Sequence, residues 1–137
     1  MDFKHTDVTD LILKAFYKVY NEFRYGFLEK VYQNSLAIEL RKLRLPVVQE
    51  ARIEVYYDGQ VVGEYFADLL VANAVIVEVK VVKRLLPEHE AQLLNYLKAT
   101  PYEVGLLLNF GPKPEIRRRA FDNARKGPMR WLEKQLS

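Results

Sequence analysis

Ala67-Asp68-Leu69-Leu70-Val71-Ala72-Asn73-Ala74-Val75-Ile76-Val77-Glu78-Val79-Lys80-Val81-Val82 is the stretch whose reading decides the fold. Two apolar runs of strand-forming residues flank Ala72-Asn73-Ala74, a connection short enough to make the pair a β-hairpin. Strands this apolar are expected to be buried. A carboxylate or ammonium there is costly unless it is paired, hydrogen-bonded or bound to a metal, so Asp68, Glu78 and Lys80 call for a physical reason.

Alternate residues of a strand share a face. Ile76, Glu78, Lys80 and Val82 therefore fall on one side, and Val75, Val77, Val79 and Val81 on the other. If the loop is the three residues Ala72 to Ala74, Val71 faces Val75 and Asp68 stands opposite Glu78. Directly opposed side chains have Cβ atoms about 4.5–5.5 Å apart, where like charges repel. A divalent cation reverses that sign: hard oxygen ligands suit Mg²⁺ or Mn²⁺, and Lys80 beside the ion could meet a substrate's negative charge. A two-residue loop would instead put Asp68 on the far face from Glu78.

The 137 residues suffice for one domain with a single core. Half are apolar, with nine tyrosines and seven phenylalanines, a composition unlike that of disordered chains. No cysteine is present, which excludes disulfides and thiolate zinc sites and fits a reducing compartment. Met1 to Asp7 has neither the basic start nor the apolar core of a signal peptide, and no apolar run approaches about 18 residues. A soluble, cytoplasmic protein with no membrane partner is expected. The formal charge of +3 is unevenly spread: residues 111–137 hold eight Lys and Arg against three acids, the rest thirteen against fifteen. Arg117, Arg118 and Arg119, with Arg125, Lys126 and Arg130, are candidates for phosphate contacts. An ordinary solvated basic tail reads equally well on charge alone.

Residues 7–24 carry apolar side chains at helical spacing, from Val8 to Phe23, with Thr6 or Asp7 as cap and Gly26 as stop. A second helix is expected from Phe27 to Leu43, with Leu28, Val31, Tyr32, Leu36, Leu40 and Leu43 as its apolar stripe and Glu29 in its first turn. On position alone, Glu29 reads first as an acid complementing the helix dipole. Residues 51–57 alternate, Asp58-Gly59 is a type I′ turn signal, and the chain returns from Gln60, with Gly63 marking a bulge. After the strand 75–82, Pro87 opens a helix to about Lys98. Ala91, Leu94 and Leu97 or Lys98 are expected on one side of it, and His89, Gln92 and Tyr96 on another. Glu103 to Phe110 reads as a buried strand, Ile116 to Phe121 as an arginine-rich edge strand, and Pro128 to Leu136 as a short helix. No repeat or linker divides the chain.

The order from Phe27 to Phe110 is thus helix, three strands, helix, strand. With Asp68 followed at ten residues by Glu78-Val79-Lys80, it resembles the PD-(D/E)XK nuclease superfamily. Gly26-Phe27-Leu28-Glu29-Lys30-Val31-Tyr32 is similar to the G-x-x-E-x-x-Y signature of one PD-(D/E)XK-like family, and Gln92 and Tyr96 fit the Q-x-x-x-Y motif of RecB-like nucleases. The resemblance spans about residues 7–121. It implies an α/β fold, restriction-endonuclease-like, with an αβββαβ core, a mixed central sheet flanked by helices and an extra N-terminal helix. The whole, 1–137, is one domain: core about 27–121, basic extension 122–137.

The resemblance further implies a metal-dependent nuclease hydrolysing phosphodiester bonds of nucleic acid, DNA first among substrates, with Mg²⁺ or Mn²⁺ as cofactor. Asp68, Glu78 and Glu29 match its metal-binding acids, Val79 offers a backbone carbonyl, and Lys80 matches the lysine that orients the attacking water or steadies charge on the phosphate. Gln92 and Tyr96 would line the site and touch the substrate backbone or the lysine; a plain helix surface packed on the sheet explains them equally well. His89 reads first as a solvent-facing helix residue. The alternative function is a nucleic-acid-binding or assembly module that keeps the fold with little or no catalysis. No aromatic-rich single-strand platform or base-reading helix stands out, so structure or backbone recognition is expected. The apolar edge near the last strand allows a homodimer.

Overall fold

The computed structural model describes residues 4–127. Three helices, α1 (Thr6–Phe23), α2 (Glu29–Lys42) and α3 (Pro87–Lys98), pack on a sheet of β1 (Val47–Tyr57), β2 (Gln60–Val71), β3 (Val75–Lys80), β4 (Val104–Phe110) and β5 (Pro114–Ala120). The strands lie in the order β1-β2-β3-β4-β5. Neighbours are antiparallel except β3 and β4, which run parallel and are joined by α3. A parallel pair needs a long crossover, and the segment from Val81 to Glu103 supplies it. The helix expected over Pro128 to Leu136 lies outside the described residues.

The hairpin register is the one that the three-residue loop requires: Val71 pairs with Val75, Leu70 with Ile76 and Leu69 with Val77. Ala72 and Asn73 both adopt positive φ, and the Ala74 N–H closes the turn on the Val71 carbonyl at 3.0 Å. Asp58 and Gly59 likewise have the positive φ of a type I′ turn. The bulge expected near Gly63 is present as a register shift between Val55 and Tyr56.

The two faces of β3 serve different layers. Val75, Val77 and Val79 join Leu106, Leu108 and Phe110 beneath α1 and α2, which contribute Phe16, Tyr32, Leu36 and Leu40. Ile76 and Leu107 face α3 through Leu93 and Leu97. Period-2 burial on both sides of β3 and β4 is what a central strand between two helical layers needs.

Three expectations fail locally, and on α3 the structure decides a face that the sequence leaves open. The α1 N-cap is His5, in the left-handed region, and neither Thr6 nor Asp7 caps the helix. Helix α2 starts at Glu29, so Leu28 stands before the first turn and is 83% exposed, not part of the buried stripe. On α3 the buried side is Leu93, Tyr96 and Leu97, whereas Ala91 is exposed and Leu94 half-buried. A short helix with leucines on several faces leaves the choice to its neighbours. Finally, β3 ends at Lys80. Asn109 clamps the next segment, accepting the Val82 N–H at 3.0 Å and donating to the Val82 carbonyl at 2.9 Å, so a side chain replaces the ladder.

That clamp requires close backbone approach. A Cβ at Gly111 would lie 2.2 Å from the Val82 carbonyl oxygen. Gly111→Ala is therefore expected to destabilise the fold by about 1–3 kcal/mol, as other overpacking substitutions do. A lower urea midpoint at unchanged m would register it; an unchanged midpoint would show that the clamp yields.

Candidate active site

Beyond Leu69↔Val77 the β2–β3 ladder gives way to side chains. Glu78 Oε2 accepts the Asp68 backbone N–H at 3.1 Å, and Asp68 Oδ2 accepts the Val79 N–H at 2.7 Å. Each acid thus takes a main-chain donor from the strand of the other, and the two carboxyl groups meet. Glu78 is 4% exposed. Burial, and next the Asp68 charge, push its carboxyl up to about 9, far above the ordinary carboxylate range. The pair is short of positive charge.

Lys80 lies two residues along the same face. Its Nζ donates to Gln92 Oε1 at 3.3 Å, and Gln92 Nε2 donates to the Tyr96 hydroxyl at 3.2 Å. Burial first, then the charges of Glu78 and Asp68, raise the Tyr96 hydroxyl to about 12, so it stays protonated at neutral pH. Gln92 therefore touches the lysine, and Tyr96 reaches it only through Gln92. His89 is used locally, its Nδ1 accepting the Leu86 N–H at 3.0 Å at the start of α3.

Glu29 is the first residue of α2, which packs on the opposite face of the sheet, so it approaches the acids from a helix end and does not cover them. Its carboxyl is raised by partial burial and then by the Asp68 charge, and is drawn down by Lys80. It shares their field. Among the described residues, however, no three His, Cys, Asp or Glu side chains converge tightly enough to hold a metal ion together. The expected three-acid cluster is thus present as a touching pair with a third acid nearby.

Mg²⁺ commonly binds through one or two carboxylates and takes its remaining ligands from water and substrate phosphate. The Asp68–Glu78 pair, with Glu78 buried and Asp68 half-buried, has the oxygen chemistry for such an ion, so the donor set fits a hard divalent cation.

Three residues around this site escaped notice in the sequence. Gln33, 2% exposed, donates from Nε2 to the Asp68 carbonyl at 3.0 Å and to Glu50 Oε1 at 3.1 Å. Glu50 has a positive φ, and the β1–β2 ladder passes from Gln49↔Leu69 to Ala51↔Ala67, leaving the Asp68 carbonyl for Gln33. Lys30 closes the set, its Nζ 2.5 Å from Glu50 Oε1, and this contact is the main reason the Glu50 carboxyl lies below its ordinary range. A signal for Gln33 existed: it falls in register with Leu36, Ala37 and Leu40 on the buried stripe of α2. A polar side chain in that stripe must have a partner.

The glycine and tyrosine of the motif before Glu29 set its position. Tyr32 is fully buried, stacks on Phe110, donates its hydroxyl to the Arg24 carbonyl and accepts the Phe27 N–H at 3.1 Å. It holds the α1–α2 connection, in which Gly26 takes a φ of 138° that other residues rarely adopt.

The three arginines of β5 do not enter the site. Arg119 pairs with Glu90 of α3, Arg117 lies 3.7 Å from Glu115, and Arg118 donates to the Lys4 carbonyl at 2.9 Å. Arg118 and Arg119 tie the edge strand to neighbouring segments, whereas Arg117 pairs within it.

A mixed five-stranded sheet between helical layers, with two acids meeting on a splayed hairpin and a lysine two residues on, defines a restriction-endonuclease-like protein with an N-terminal helix. The sequence pattern of the PD-(D/E)XK nuclease superfamily matches residues 6–119, and the chain belongs to that superfamily. Among solved structures it is similar to the crystal structure of SSO0001, at 16% identity and a TM-score of 0.45, over 97% of this chain and 86% of that one. No curated protein matches the sequence. No helix among the described residues is long and apolar enough to cross a membrane.

Proposed function

We propose that the chain is a metal-dependent nuclease of the GxxExxY group, hydrolysing phosphodiester bonds of nucleic acid, DNA first among them. The observation that carries this is the Asp68–Glu78 contact, with Lys80 on the same face. In this scheme Asp68 and Glu78 would hold Mg²⁺ or Mn²⁺, with the Val79 carbonyl and Glu29 as further oxygen donors, Glu29 standing apart from the touching pair. When bound, the ion supplies a more acidic water and neutralises charge on the phosphate.

The chain's own groups do the rest. Lys80, steadied by Gln92, donates to the attacking water or to a non-bridging phosphate oxygen, holding it in line with the leaving oxygen. Gln33 fixes the Asp68 backbone so that its carboxylate keeps its aim.

Adding Mg²⁺ or Mn²⁺ to metal-free protein is expected to raise Tm by several degrees, and Asp68→Ala to remove that response. The absence of a shift in both proteins would overturn the metal assignment. The separation of Glu29 from the touching pair favours a second reading, a nucleic-acid-binding module that does not cleave. A substrate panel in Mg²⁺, Mn²⁺ and EDTA, beside a salt-dependent binding assay, separates the two: binding without cleavage on every substrate selects the module.

A further inference from the structure

Resting on the nuclease reading, we propose that single-stranded nucleic acid runs along α3, a base stacking on Tyr65 beside the active site and the backbone leaving past Lys98 and Arg125.

The β1–β2 hairpin is much longer than β3. β2 meets β3 only over Leu69 to Val71, so the outer part of the hairpin projects beyond it and stands opposite α3. Between them lies a groove of about 630 Å³ that includes Val55, Tyr65, Gln92, Asn95 and Tyr96 in its walls. It begins at the catalytic constellation, because Gln92 holds Lys80 on one side and Tyr96 on the other. Among the described residues, Glu88 is its one charged lining residue. Such a lining is unsuited to phosphate but suits the face and edge of a base, with aromatic rings for stacking and the Gln92 and Asn95 amides for hydrogen bonds.

Tyr65 is the natural platform. It is 48% exposed, its ring centroid stands 5.8 Å from that of Tyr96, and it lies over the bulge glycine, 3.3 Å from where a Cβ of Gly63 would sit. A side chain at Gly63 would push against the ring.

The groove does not end there. Val55, Asn95 and Ala99 also line a second cavity of about 380 Å³, where Lys98, Arg125 and Phe121 stand. Lys98 Nζ and the Arg125 guanidinium lie 5.5 and 5.0 Å from the centre of the Phe121 ring, and neither has a carboxylate partner among the described residues. Lys126, in the same wall, is occupied by the carbonyls of Thr100 and Tyr102. An aromatic, nearly uncharged groove leading to a basic mouth matches one strand, whose bases stack while its phosphates meet cations. A duplex hides the faces of its bases and gains nothing from Tyr65.

Fluorescence anisotropy of a short labelled oligonucleotide, single-stranded or as a blunt duplex, across a salt series with Ca²⁺ in place of Mg²⁺, tests this on the full chain. The single strand is expected to bind at least about tenfold more tightly, and Tyr65→Ala to remove about tenfold while Tyr65→Phe retains it. Gly63→Val, which removes no groove side chain, should mimic Tyr65→Ala. Lys98→Ala combined with Arg125→Ala should reduce the salt slope by roughly 1.4. Equal or tighter duplex binding, or single-strand binding indifferent to Tyr65→Ala in protein of unchanged Tm, overturns the proposal. In Mg²⁺, duplex cleavage unaffected by these variants overturns it while the nuclease reading stands. Tyr65-dependent strand binding without cleavage of any substrate upholds the track and overturns the nuclease reading; no binding at all overturns both.

Discussion

Lys80→Ala is expected to lower metal-dependent phosphodiester cleavage by roughly 10²–10⁴-fold, the usual loss when one positioned donor or proton-handling group leaves a site of this kind. The fold should survive. Lys80 is half-buried, and its one hydrogen bond is to Gln92 Oε1 at 3.3 Å, so truncation leaves no buried acceptor stranded and Tm should move little. The metal-induced rise in Tm should also persist, because the acids remain. Gel cleavage assays on wild type and variant, prepared identically, provide the measurement. Equal rates would identify the activity as a contaminant and remove the catalytic role from Lys80.

Glu78→Gln should separate stability from function. The Glu78 carboxyl is raised from the ordinary 4.5 to about 9, burial being the first cause and the Asp68 charge the second. Through the interval between those values the folded state retains a proton that the unfolded chain has released, so stability falls as pH rises. The slope is about 1.4 kcal/mol per pH unit. Its contribution is complete below about pH 4.5 and lost by about pH 9. Glutamine has nearly the same shape and no charge to lose. Without metal at about pH 8, Glu78→Gln is therefore expected to be more stable than wild type, by on the order of 3 kcal/mol, and much flatter with pH. It should also lose the response to Mg²⁺ and the cleavage activity. Urea titrations in EDTA at several pH values, with and without Mg²⁺, would show this. A wild-type stability that is level between about pH 5.5 and 8, or a variant weaker than wild type at the upper end, would sink the idea of an uncompensated buried pair.

The two expectations share a cause. The site holds more negative charge than its surroundings balance, and the sign of each effect follows from what supplies the missing positive charge. In the metal-free protein a proton on Glu78 would supply it, since its carboxyl is raised to about 9; in the proposed working state a divalent cation held by Asp68 and Glu78 would. Lys80 is tied to Gln92 and, in the proposed scheme, would meet the substrate.

Much of this was legible in the chain itself. Strand alternation put Glu78 and Lys80 on one face, and the loop Ala72-Asn73-Ala74, once read as three residues, put Asp68 opposite Glu78. The observed pairs Val71↔Val75, Leu70↔Ile76 and Leu69↔Val77 carry that register to the point where side chains take over. Such features are local, set by period-2 geometry and turn closure over about ten residues. The element order was equally readable, because glycines, prolines and apolar periodicity act within a few residues of themselves.

Other features depended on contacts between distant parts of the chain. Which side of α3 would be buried was settled by β4 and the Ile53–Ala67 end of the hairpin. Gln33 meets Asp68 only because α2 packs beside β2, and Glu50 leaves the ladder opposite that same residue. The arginines of β5, conspicuous as a run, pair with Glu115, Glu90 and the Lys4 carbonyl. Tyr65 and Phe121, too far apart in sequence to suggest a common surface, are aligned by α3. Local chemistry determined the elements, the hairpin register and the acid–acid–lysine face. Long-range packing decided which polar groups support that face and which groove leads to it, since those choices depend on surfaces that exist only once the chain has folded.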